Sequence, residues 1–143
     1  MNETVGFIGL GVLGSAMAGN LVNSGFTVIG YDTVAEKRAA LEEGGGQSGT
    51  SPKDVADRSD VVILCLPTAD VLHAVADKLK DGGGEGQIIL EVSTFAIADK
   101  EKARDTLAEA GKILLDCPVS GNRILALKKQ LTAFGSGDEA AYE

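Results

Sequence analysis

Residues 9–14 read Gly-Leu-Gly-Val-Leu-Gly and follow directly on the apolar run Val5–Ile8. The chemistry of this Gly-x-Gly-x-x-Gly spacing belongs to the backbone. Gly9 permits a tight turn out of a strand, and Gly11 lets the main chain approach a pyrophosphate. Gly14 lets the following helix lie close to a sheet. Phosphates held there would meet the free N–H groups and the positive dipole end of that helix. Asp32 closes the next apolar run, near the spacing of about 20 residues at which an acidic side chain accepts hydrogen bonds from adenosine ribose hydroxyls. Together the loop and the carboxylate describe a dinucleotide site.

Other chemistries find less support. Cys65 and Cys117 lie in apolar runs and the single histidine is His73, so no metal-ligand set is expected. Lys128 and Lys129 read as solvated charge at a polar helix end. The formal net charge of −8 argues against a nucleic-acid surface, which needs clustered Lys and Arg. No apolar stretch approaches the ~20 residues of a membrane span, and the N-terminal residues lack the pattern of a signal peptide. A cytoplasmic protein with reduced thiols is expected.

Elements that could position the loop and Asp32 alternate along the chain. Apolar runs at Val5–Ile8, Thr27–Tyr31, Asp60–Leu66, Gln87–Val92 and Lys112–Cys117 read as strands. Helices are expected over 12–24, 34–43, 52–58, 70–79 and 96–110. Ser51-Pro52 supplies an N-cap with proline at the first helical position, and Gly82–Gly86 a turn. His73 is expected on a helix surface. The pattern predicts one domain, 1–143, an α/β fold with a doubly wound, mostly parallel sheet of the Rossmann type. In such sheets ligands lie outside the carboxyl ends of the strands. Those ends are Gly9–Gly14, Asp32, Leu66-Pro67-Thr68, Val92-Ser93-Thr94 and Cys117-Pro118-Val119-Ser120-Gly121.

These junctions, in order and spacing, resemble the β-hydroxyacid dehydrogenases, the family of 3-hydroxyisobutyrate and 6-phosphogluconate dehydrogenases. The resemblance rests on Gly6–Leu21, Cys65-Leu66-Pro67, Glu91-Val92-Ser93-Thr94 and Leu115–Gly121, and covers essentially the whole chain. It implies that Gly9, Leu10, Gly11, Val12, Leu13 and Gly14 carry the pyrophosphate. Asp32 would bind the ribose and repel a 2′-phosphate, favouring NAD over NADP. Leu66 and Pro67 would line the cofactor's path, and Thr94 would contact it near the nicotinamide. Thr94 also reads as a cap for the helix near Ala96. Ser120 and Gly121, with Asn122 beside them, would hold the carboxylate of a small 3-hydroxy acid or semialdehyde.

Three departures accompany the resemblance. Leu13 replaces the family's usual methionine. Asn122 stands where a second glycine is usual, and Lys129-Gln130-Leu131 replaces a Gly-x-Leu turn. The family's catalytic lysine and helical domain would lie beyond the equivalent of Glu143, so this stretch is expected to bind cofactor without turnover, and residues 122–143 to fray or self-associate. The parent enzyme would be a homo-oligomer. Two other readings share these motifs: a free-standing, non-catalytic NAD-binding module, and an imine-reductase-like enzyme using NADP, against which Asp32 counts. Methyltransferases share a glycine-rich first turn but not the Pro67, Ser93-Thr94 and Ser120-Gly121 junctions. Short-chain dehydrogenases need Tyr-x-x-x-Lys, and Tyr31 has Ala35 at that spacing.

Overall fold

The computed structural model of the chain describes residues 3–143. Six parallel strands form one sheet: β1 (Thr4–Ile8), β2 (Thr27–Tyr31), β3 (Gln47–Ser48), β4 (Val61–Leu64), β5 (Ile88–Glu91) and β6 (Ile113–Asp116), in the order β3-β2-β1-β4-β5-β6. The strands are apolar on both faces because helices cover both. Ile29, Val62, Leu64, Ile89 and Leu114 pack with residues of α3 (Pro52–Asp57), α4 (Ala69–Leu79) and α5 (Ile97–Ala108). On the other face Phe7 and Val28 pack with Ala18 of α1 (Val12–Asn23) and Leu41 of α2 (Ala35–Glu43). Fully buried Leu and Ile side chains each contribute about 1.5–3 kcal/mol, so this two-sided core accounts for the doubly wound form.

Expected strands and helices are all present, each shorter than or within a residue of its expected range. Three pieces were not legible. The edge strand β3 has two residues and pairs through Ile29 with Gln47. A two-stranded antiparallel ribbon joins β7 (Val119–Ser120) to β8 (Thr132–Ala133). Two short helices, α6 (Arg123–Leu127) and α7 (Glu139–Tyr142), complete the chain. Residues 122–143 contact the rest of the domain: Ala126 accepts a hydrogen bond from the Asn20 amide of α1, and Asp116 and Ser136 exchange two backbone hydrogen bonds. Ile124, Leu127, Phe134 and Tyr142 nonetheless remain exposed.

His73 also departs from expectation. It is not a surface residue but lies largely buried between α4 and α5, its Nε2 3.0 Å from Asp99 Oδ1.

Helix ends explain the Lys129 departure. α1 and α2 close with Gly25 and Gly45 in left-handed backbone, each making the paired bonds of a Schellman motif. At the end of α6 the same two bonds run from Lys129 N–H to Ala126 and from Gln130 N–H to Leu125. Lys129 therefore adopts φ 57°, as the one non-glycine residue at positive φ among those described. A Cβ in this region costs about 1–2 kcal/mol. Lys129→Gly is expected to raise the unfolding free energy by about 0.5–1 kcal/mol after glycine's greater chain entropy is subtracted. Urea denaturation measures it, and an unchanged or lower value would show that the turn is not strained.

Candidate dinucleotide site

Every junction singled out in the sequence falls on one edge of the sheet, since parallel strands point the same way. Gly9–Gly14 follow β1, Asp32 follows β2, Leu66-Pro67 follow β4, Thr94 follows β5, and Ser120-Gly121 lie beyond β6 in the ribbon.

The three loop glycines do different work. A Cβ on Gly9 would fall on the Cys65 carbonyl just past β4, and Gly9 also has φ 99°. A Cβ on Gly14 would fall on the Gly9 carbonyl. These two close the turn onto the strand and the helix onto the turn. Gly11 is different: a Cβ there would meet nothing within 4 Å. It borders one end of a cavity of about 420 Å³ that runs along the groove between α1 and α2, past Ser15, Val22, Glu36, Ala40 and Arg123. Gly11 is the N-cap of α1 and supplies no side-chain acceptor. The first-turn N–H groups of Val12, Leu13 and Gly14 consequently have no acceptor among the described residues. By contrast Ser51, Thr68 and Asn122 cap α3, α4 and α6 with their side chains.

Asp32 is built into the loop rather than merely beside it. Its Oδ2 accepts from Leu10 N–H at 2.9 Å and its Oδ1 from Val34 N–H at 2.9 Å. An ionised carboxylate has about four acceptor sites, so two remain for ribose hydroxyls. Arg38 donates to the Asp32 carbonyl at 2.7 Å and lies over the Tyr31 ring. A second cavity, of about 450 Å³, opens there among Tyr31, Arg38, Ser48 and Thr50.

The far half of the edge is laced by side chains. Leu66 is buried, and its N–H donates to Ser93 Oγ at 2.7 Å, while Pro67 is exposed above it. Ser93 N–H donates to Glu91 Oε1. Thr94 is exposed and does not cap α5, whose N-cap is Ala96 with no side-chain bond. Its hydroxyl is thus not committed to the helix. Ser120 and Gly121 are exposed, and Gly121 has φ 138°. Asn122 is extended at φ −124°. Its Oδ1 accepts from Leu125 N–H at 3.0 Å, which leaves only its amide for a ligand.

Lys100 was missed in the sequence. It is buried on the face of α5 that also carries Ala103 and Leu107. That i, i+3, i+7 spacing was the available signal, because it places a lysine on a core stripe. Its ammonium donates to the Ser93 carbonyl at 2.7 Å and to Asp116 Oδ1, and lies 3.8 Å from Glu91 Oε1. Burial pushes the Glu91 carboxyl above the usual range, while hydrogen bonding from Ser93 and the Lys100 charge pull it back. Lys128 and Lys129 lie elsewhere: Lys129 reaches Ser24 Oγ past the C-terminal end of α1, about 17 Å along that helix from the loop.

Burial pushes the Cys65 thiol up to about 11, with the Glu91 charge adding to it, and raises Cys117 as well. At pH 8 both are protonated and poorly nucleophilic. A thiol reagent is expected to label the native chain at least ~10-fold more slowly than the urea-unfolded chain; equal rates would show that the strand ends are open. The glycine geometry predicts a stability contrast. Gly9→Ala is expected to cost ~3 kcal/mol or more, and Gly11→Ala less than ~0.5 kcal/mol. Comparable losses in denaturant melts would refute the division of roles.

The model of the NAD binding domain of 6-phosphogluconate dehydrogenase matches residues 4–143. An NAD-dependent L-serine dehydrogenase of Pseudomonas aeruginosa is 34% identical over 99% of this chain and 48% of its own length. The mitochondrial 3-hydroxyisobutyrate dehydrogenase of Homo sapiens is 33% identical over 94% of this chain and 41% of its own. A solved 3-hydroxyisobutyrate dehydrogenase of Mycobacterium tuberculosis, with L-serine, superposes with TM-score 0.95 at 28% identity, covering 99% of this chain and 49% of that one. The chain spans about half the length of these relatives.

Proposed function

Because the chain belongs to the family of NAD binding domains of 6-phosphogluconate dehydrogenase, we propose that it holds NAD(H) across the carboxyl edge of its sheet. It would do so as the cofactor-binding part of an oxidoreductase acting on a small 3-hydroxy acid or its semialdehyde. One observation carries the reading: a loop glycine open to a cavity, beside an uncapped helix start and a carboxylate. The residues fit the cofactor. The first-turn N–H groups of α1 would take the pyrophosphate, and the helix dipole favours its charge. The free lone pairs of Asp32 would take the ribose hydroxyls and disfavour a 2′-phosphate by like charge.

The cofactor, when bound, supplies hydride transfer at its nicotinamide; this chain's part is orientation. Thr94 and the Ser120-Gly121 turn stand on adjacent strand ends, where the hydroxyls of Thr94 and Ser120 would position the nicotinamide side and the substrate carboxylate. Lys100 is committed to Ser93 and Asp116, and Lys129 is remote. Neither of these two lysines would therefore move the substrate hydroxyl proton. The chain by itself is expected to bind cofactor and to oxidise 3-hydroxy acids weakly or not at all.

Fluorescence titration with NADH and NADPH tests the proposal. NADH is expected to saturate at a Kd at least ~10-fold below that of NADPH. Gly11→Ala is expected to weaken NADH binding by at least ~10-fold while leaving stability unchanged. Binding of neither nucleotide overturns the reading. Tighter NADPH binding would overturn the role of Asp32 and point to the Arg38 cavity as a phosphate site.

A further inference from the structure

We infer that Lys100 is a positioning residue for the nicotinamide half of the site, joining the loop after β5 to the last residue of β6; this rests on the dinucleotide reading above. A doubly wound sheet binds the two halves of a dinucleotide over its two strand sets. Here β1, β2 and β3 carry the glycine loop and Asp32, so the other half belongs over β4, β5 and β6.

The strand ends of that second half are not joined by ladder bonds alone. A continuous path runs from Leu66 N–H to Ser93 Oγ, from Ser93 N–H to Glu91 Oε1, and from the Ser93 carbonyl through Lys100 to Asp116 Oδ1. Lys100 is the only link in this path drawn from a helix. Its anchor points are next to Thr94 on one side and close ahead of Ser120 on the other. Asp116 is also tied by its backbone to Ser136, so the same link sets where the β7–β8 ribbon sits.

Stability does not explain the lysine. Replacing the whole buried group of charges by apolar side chains is often neutral or stabilising, whereas removing Lys100 alone would leave Glu91 uncompensated. What the ammonium adds is direction: its donors reach the Ser93 carbonyl after β5, Asp116 Oδ1 at the end of β6 and, at 3.5 Å, the Glu91 carbonyl. Glu91 lies fully buried under this junction, and its Oε2 has no hydrogen-bond partner. Removing the ammonium would leave Glu91 and Asp116 facing each other across paired positions of β5 and β6.

Lys100→Met and Asp116→Ala test the inference by titration with NADH and with ADP-ribose, which lacks the nicotinamide. Asp116 is partly exposed, so its variant breaks the same link at a position that tolerates change. Both variants are expected to weaken NADH by about tenfold and to leave ADP-ribose within about twofold. Parallel loss of both ligands would mean a merely structural residue and overturn the inference, as would no change in either. Equal affinity of the unaltered chain for NADH and ADP-ribose would overturn it too, leaving the dinucleotide reading intact. Binding of neither ligand by the unaltered chain would overturn the reading itself.

Discussion

Two absent Cβ atoms hold the site together. At Gly9 and Gly14 the main chain passes so close to the Cys65 and Gly9 carbonyls that any side chain would collide. This close approach brings the first turn of α1 directly over the ends of β1 and β4. The unsatisfied N–H groups of that turn stay at the sheet edge while Phe7 and Val28 are sealed beneath α1 and α2. Asp32 secures the same geometry from the next strand by accepting Leu10 N–H. The carboxylate therefore shapes the loop before any ribose reaches it, and site and fold depend on the same contacts.

The two halves of the edge are held by different physics. Around the glycine loop the constraint is steric and the groups are backbone dipoles. Over β4, β5 and β6 it is electrostatic, carried by buried side chains whose charges compensate one another. Glu91 and Lys100 would each be costly alone in the interior. Together with Asp116 and Ser93 they form a junction whose geometry is set by hydrogen-bond direction. Cys65 and Cys117 pack nearby in the cluster with Val92 and Leu115, and burial keeps their thiols protonated there.

Residues 122–143 show how a short segment finds order with little core of its own. Only Ala126 of α6 is buried. The segment is held by the Asn122 cap, the Schellman closure at Lys129, the Asn20 amide and the ribbon to β7. Directional bonds, not apolar burial, fix its course, which is why Ile124, Leu127 and Phe134 stay exposed.

The sequence by itself determined the strand order's raw material, the glycine loop, Asp32 and the family, because these depend on local backbone needs and on apolar periodicity. It also placed Leu66, Thr94 and Ser120 correctly on one edge, since strand direction in an alternating α/β chain leaves little choice. Only the tertiary structure decided what each of these glycines meets: Gly9 the Cys65 carbonyl just past β4, Gly14 the Gly9 carbonyl, and Gly11 open space. It likewise decided that Asp32 bonds the loop, that His73 is buried against Asp99, and that Thr94 caps nothing. The stripe with Ala103 and Leu107 could mark Lys100 as buried, but what Lys100 and Glu91 bond was beyond reach. Their partners lie on neighbouring strand ends, and a buried charge becomes interpretable only when the groups that compensate it are in place.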